Sequence, residues 1–302
     1  MDFIKIFMES MSHHKIITDE AIIPDGKLHR AHIQGDRLGT RNCWYTLHLD
    51  GLPCGVFGDW KSGVTHKWCA KSLATMSPAE IVEQHLKIKE IQRQREDAQR
   101  VEQHRAAKLA QEIWMNAKPA NPNHPYLRSK NIPPFIARQK NNYLVLPVID
   151  FDRRIWSLQF IYFDGSKKLL SGGAKKTRFI PVNSISNTET LLICEGFATG
   201  CSLAKVSPQA SVIAAVDAGN LEAVAILARQ HFPKSKIIIC ADDDRETIGN
   251  PGVTKGRKAA IAANASFVTP IWPEGAPISL SDFNDLASWI YHSNAGVLTC
   301  KN

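Results

Sequence analysis

An α/β architecture with an open, Rossmann-like parallel sheet in its C-terminal third is predicted by three features of this 302-residue sequence. Beyond Thr190, four short apolar runs (191–195, 211–216, 236–241 and 266–271) have the length and character of buried strands. Helix-forming stretches near 198–206, 220–230 and 253–265 fill the gaps, and this alternation predicts parallel pairing through right-handed crossovers. Two of the runs close on acidic residues: Glu195 follows LLIC, and Asp242, Asp243 and Asp244 follow KIIICA. In such a sheet the loops at the carboxyl edge of the strands carry the ligand.

The elements before that sheet read differently. Residues 16–75 form a small β-rich unit, because HRAHIQGD, NCWYTLHLDG, GVFGDWKSG and THKWCAK are short, rich in aromatic and β-branched residues, and separated by Gly, Asp and Pro turns. Trp44, Tyr45, Trp60 and Trp68 are first of all core residues of that unit, and secondly a platform on which single-strand bases could stack. Cys43, Cys54, His66 and Cys69 invite a zinc reading, but only His66 and Cys69 have the close spacing that structural zinc sites use in pairs.

Ser77-Pro78-Ala79-Glu80 then opens a helix, with Ser at the N-cap, Pro in the first turn and an acidic residue beside them. No Gly or Pro follows before Trp114, and the seven acidic and seven basic residues of this stretch balance. One long, solvated helix bridging domains is expected. Pro119, Pro122 and Pro125 end it. HPYLRSKNI, YLVLPVID, IWSLQFIYFDG and KKLLSGG follow as a further, strand-rich part.

The charge is unevenly spread. Residues 1–190 hold 28 Lys and Arg against 19 Asp and Glu, and residues 191–302 hold 9 against 10. A basic body beside an acidic pocket suits a polyanion whose reacting phosphate is drawn to a metal, and nucleic acid is the natural candidate. No run of eighteen apolar residues is present, and MDFIKIFMESMSHHK lacks the apolar segment and cleavage site of a signal peptide, so a cytoplasmic protein without membrane contact is expected. Seven cysteines, Cys300 the last of them, form no C-x-x-C pair, and disulfides are not expected.

Glu195 with the pair Asp242 and Asp244 supplies hard oxygen ligands for Mg2+, with Mn2+ as the alternative, and leaves room for phosphate oxygens. Gly196 and Gly200 are read as loosening the turn after Glu195 so that backbone can approach a ligand closely.

EGFATG after one strand, ADDD after another, and NPGVTKGRKAA at the start of a helix together resemble the Toprim domain of bacterial-type primases, topoisomerases and some nucleases. DGKLHRAHIQGDRLGTRNCWY, GVFGDWKSG, HPYLRSKNI, LPVIDFDRRIWSLQFI, DGSKKLLSGG, VDAGNL and DFNDL, in this order, are similar to the Toprim primases of plasmids, prophages and integrative elements.

The resemblance implies four parts: a small β-rich N-terminal unit (1–76), a long charged helix and linker (77–118), an N-terminal catalytic subdomain (119–190) and the Toprim domain (191–302). It also implies that Glu195 acts as acid/base or metal ligand, that Asp242 and Asp244 bind magnesium, and that Asp282 and Asp285 in SDFNDL complete the metal shell. A helix cap is the equally good account of Asp282 or Asn284.

The implied activity is DNA priming: nucleotidyl transfer from NTPs on a single-stranded DNA template. Arg128, Lys130, Lys167, Lys168, Lys175, Lys176 and Arg178 are expected to bind template or triphosphate, or else to be a solvated face. No G-x-x-x-x-G-K-[ST] occurs, so a separate replicative helicase is the expected partner. The alternatives are a metal-dependent Toprim nuclease and a non-catalytic single-strand-binding accessory. Tyr162 and Tyr291, the tyrosines nearest the acidic loops in sequence, have no motif supporting a covalent DNA intermediate.

Overall fold

The computed structural model describes residues 2–72, 75–185 and 189–299, without the side chains of 294–299; Cys300 lies outside them. The chain divides into two compact units, residues 1–101 and 102–302.

In the first unit, helix α1 (Phe3–His13) precedes an antiparallel sheet of β1 (His29–Ala31), β2 (Cys43–His48), β3 (Cys54–Asp59) and β4 (Thr65–Cys69), paired in that order. The β-rich reading omits α1. Its buried residues Phe7 and Met11 lie four apart on one helical face, and Phe7 packs edge-on against Phe57 and Trp68. Trp44 (1% exposed) and Tyr45 (2%) are core, while Trp60 and Trp68 are half-buried. The Arg95 guanidinium lies 4.4 Å from the ring of Trp44 and 5.1 Å from that of Trp60.

Arg95 belongs to α2 (Pro78–Asn116), a helix of 39 residues, and the division between the two units falls within it. Ser77 and Glu80 form its capping box, each backbone N–H donating to the other's side chain (2.9 and 3.3 Å). Toward its C-terminus Ala110 is buried, with Ile113 and Trp114 packed beside it against Val145 and Leu158.

The second unit holds two five-stranded sheets. The antiparallel one runs in the order β5 (Lys118–Pro119), β6 (Arg138–Lys140), β7 (Tyr143–Ile149), β8 (Ile155–Ile161), β9 (Lys167–Leu169), with the short α3 (Pro125–Ser129) between β5 and β6. The other contains β10 (Ile180–Pro181), β11 (Thr190–Cys194), β12 (Ser211–Ala214), β13 (Lys236–Cys240) and β14 (Ser266–Val268), in the order β10-β12-β11-β13-β14. Its last four strands are parallel, as the alternation predicts, and β10 joins antiparallel at the edge. Ile149 and Phe179 exchange two backbone hydrogen bonds (2.8 and 2.9 Å), tying the two sheets together.

Helices α4 (Phe197–Val206), α5 (Leu221–His231), α6 (Pro251–Ala262) and α7 (Phe283–Thr299) complete the unit. Along β11, Leu192 and Cys194 face a core shared with α4 and β7, while Leu191 and Ile193 face one shared with α5 and α6. Both faces are therefore covered, which is why these strands read as unbroken apolar runs. A Cβ on Gly200 would stand 2.7 Å from Val182 Cγ2 and 3.2 Å from Cys194 Sγ. That glycine serves the packing of α4 on its sheet, which corrects its sequence reading as a ligand-approach residue.

Candidate active site

In the parallel register Cys194 is paired with Ala214 on β12 and with Cys240 on β13. Strands aligned this way end together, so three turns leave one edge: Glu195-Gly196, Val216-Asp217 and Asp242-Asp243-Asp244. The central strand of the sheet carries the glutamate.

Each acidic side chain is held differently. Glu195 is half-buried, and burial raises its pKa; Asp244 and Asp217 add to the rise, while the backbone N–H of Ala218 and the charge of Lys255 oppose it. Asp242 is pushed up to about 8, first by burial and then by Glu195, Asp282 and Asp244, with Lys167 opposing. Its Oδ1 is buried without a hydrogen-bond partner.

Asp243 is structural. Its Oδ1 accepts from Asn250 Nδ2 (2.7 Å) and its Oδ2 from the Trp272 indole (2.9 Å). Asp244 Oδ2 accepts from the Gly252 N–H (2.9 Å) in the first turn of α6, where the helix dipole favours a carboxylate. Gly252 has to be glycine, since a Cβ would stand 2.4 Å from the Asp242 carbonyl oxygen and 3.0 Å from Asp244 Oδ2.

Asn250 organises this loop. Left-handed at φ 40°, it caps α6 through Oδ1, which accepts from the N–H groups of Val253 (3.3 Å) and Asp244 (2.9 Å), while its amide holds Asp243. Sequence reasoning missed its role, although Asn before Pro at the start of a helix is a visible signal.

Asp282 Oδ1 accepts from the N–H groups of Asn284 (2.7 Å) and Asp285 (2.8 Å), so it caps α7. The charge of Asp282 still reaches Asp242. Asn284, 1% exposed, donates to the Lys130 carbonyl (2.7 Å) and to Ser202 Oγ (3.0 Å).

The seven basic residues separate. Lys167 comes to the acidic edge: a Cβ on Gly196 would lie 4.0 Å from its Nζ. Lys175 Nζ pairs with Asp217 Oδ2 at 2.5 Å, and Lys130 faces Asp285 at 3.6 Å. Arg178 is half-buried over the Trp156 ring at 4.7 Å, and burial lowers its pKa. Lys168 sits 5.4 Å from the centre of the Tyr162 ring. Arg128 and Lys176 are exposed.

Among the described residues, no three His, Cys, Asp or Glu side chains stand together as a ready set of metal ligands. The donor chemistry nevertheless fits a hard divalent cation. Hard oxygen donors gather at one edge, where neighbouring carboxylates add to the raised pKa values of Glu195 and Asp242, and one buried carboxylate oxygen lacks a partner.

The domain built on this edge is a Toprim domain: residues 190–288 match that family's model. Beyond it, the chain is similar to two curated proteins of Escherichia coli, each described as DNA primase TraC. One is 35% identical over 267 residues, covering 84% of this chain and 25% of the relative. The other is 32% identical over 260 residues, covering 83% and 18%. The chain thus spans a quarter or less of the relatives' own length. A solved structure described as the DnaG primase catalytic domain bound to ssDNA is 12% identical, with a TM-score of 0.44 over 64% of this chain and 76% of that one. No helix among the described residues is long and apolar enough to cross a membrane.

Proposed function

We propose that this chain makes primers: it joins nucleoside triphosphates on a single-stranded DNA template. The observation that carries the reading is the aligned ending of β11 and β13, from which Glu195, Asp242 and Asp244 leave at one edge. The likeness to DNA primases over 84% of the chain supports it.

Glu195, Asp242 and Asp244 would hold Mg2+, or Mn2+ in its place, with Asp282 alongside. The cation, when bound, neutralises charge on the transferring phosphate oxygens and lowers the pKa of the attacking hydroxyl. Glu195, the carboxylate at the end of the central strand, is also the group proposed to accept the proton of the primer's 3′ hydroxyl. Lys167 and Lys175, lysines at the acidic edge, hold the phosphates of the incoming triphosphate. The exposed Arg128 and Lys168 face template phosphates, Lys176 belongs to the solvated face, and Lys130 and Arg178 are engaged with Asp285 and the Trp156 ring. A separate helicase opens the duplex.

The test is a labelled-NTP assay on single-stranded DNA across a magnesium titration. Short products that require both NTPs and the metal support the reading. Strand nicks that form without NTPs would replace it with a nuclease.

A further inference from the structure

The motif VDAGNL holds a residue that none of these roles uses. Asn220 is 3% exposed and fully bonded. Its Nδ2 donates to the carbonyls of Lys175 (3.0 Å), Arg178 (2.8 Å) and Ala215 (2.9 Å), and its Oδ1 accepts from the Thr177 N–H (2.8 Å).

One amide thus fastens both ends of the 175–178 loop to the end of β12. The backbone on each side is held where β-branched residues seldom go, at φ 65° for Thr177 and 77° for Val216. Such conformations persist where the surroundings over-determine them, and they gather at functional sites.

The loop so fixed delivers one side chain to the carboxylate edge. Lys175 Nζ meets Asp217 Oδ2 at 2.5 Å, and Asp217 is near enough to Glu195 to raise its pKa. Lys175 remains 40% exposed, so its ammonium is pre-oriented by a counter-ion yet open to a ligand. Lys176, one residue on, is exposed with no ion pair among the described residues and serves as the internal control.

We propose that Asn220 is a positioning residue, which holds the 175–178 loop so that Lys175, rather than the neighbouring Lys176, contacts the phosphates of the incoming triphosphate. This rests on the priming reading above and adds to it what sets the place of Lys175 and separates it from Lys176. A single directed ammonium on a phosphate group acts mainly on binding, so the effect falls on KM and on the affinity for free nucleotide.

The experiment compares the parental protein with K175M, K175R, K176M, N220A and the double variant N220A/K175M. Two readouts are taken: KM and kcat in the primer assay, and calorimetric binding of ATP in magnesium. We expect K175M to raise KM and the ATP Kd about tenfold with kcat changed far less. K175R and K176M should stay near parental. N220A should match K175M, and the double variant should be no worse than either single one, because Asn220 acts through Lys175. Equal values for K175M and K176M would overturn the proposal whether or not N220A folds, and so would additive losses in the double variant. If the parental protein binds ATP but makes no primers, the priming reading fails, while the ATP affinities still judge the lysine assignment.

Discussion

Cys194 and Cys240 lie side by side in the parallel register of β11 and β13, so the residues that follow them, Glu195 on one strand and Asp242 and Asp244 on the other, reach the same edge. These two buried thiols form the last rung of the β11–β13 pairing before the acidic residues. Burial raises the pKa of both thiols, leaving them neutral in the core.

Asp244 is the carboxylate whose loss should be most severe. Asp244→Asn preserves size and can still accept from the Gly252 N–H, but it removes a charge from the proposed cation site. Primer synthesis should fall about a hundredfold or more, with little change in melting temperature. The primer assay and a thermal melt, run together, check this.

Asp242 gives a pH signature in the metal-free protein. Its folded-state pKa of about 8 lies above its ordinary value of 3.8, so the native state holds a proton that the unfolded chain has released between those limits. The stability this carboxyl contributes is therefore whole below its ordinary value, falls as pH rises between the two limits and is gone once pH has passed about 8. Asp242→Asn removes that loss: at pH 9 without metal it should melt a few degrees above the parental protein, for a gain of roughly 1 kcal/mol or more. At pH 4 and below the two should agree. Melting curves across this range show whether the difference grows with pH.

Gly252→Ala should damage the aspartate loop without touching any charge. The added methyl meets the Asp242 carbonyl oxygen at 2.4 Å and its carbon at 2.9 Å, and this backbone has little room to yield. A stability cost of ~1–3 kcal/mol is expected, together with a loss of priming comparable to that of Asp244→Asn. Gly249, whose Cβ direction is open, is the wrong control because its φ is 78°. Ala262→Ser, at the far end of α6, is a suitable one.

Asp282 separates capping from metal binding. Asn caps a helix about as well as Asp, so Asp282→Asn should keep the parental melting temperature, while Asp282→Ala should lose ~1 kcal/mol. Priming by Asp282→Asn should fall far less than by Asp244→Asn. A loss as deep as that of Asp244→Asn would move Asp282 into the metal shell.

Much of this was legible in the chain itself. The four apolar runs became β11 to β14 within one to three residues of their ends, because both faces of a parallel sheet are buried and the runs stop where the polar loops begin. The balanced charges and the Ser77-Pro78 start marked α2 for the same kind of reason. What was not legible depends on contacts distant in sequence. Asn220 and Asn250 look like ordinary loop residues until their amides are seen to bind carbonyls and carboxylates that the fold brings to them. Asp217 lies one strand away from the acidic motifs and shows its relation to Glu195 only when β12 pairs with β11. The two-residue β10 carries too short a pattern to register as a strand at all.

The most direct test is a crystal soaked in manganese and measured at an energy where the metal scatters anomalously. An anomalous peak among Glu195, Asp242 and Asp244, absent from Asp244→Asn crystals treated in the same way, is the predicted result. No peak there in the parental protein, with those three side chains directed apart, would contradict the account.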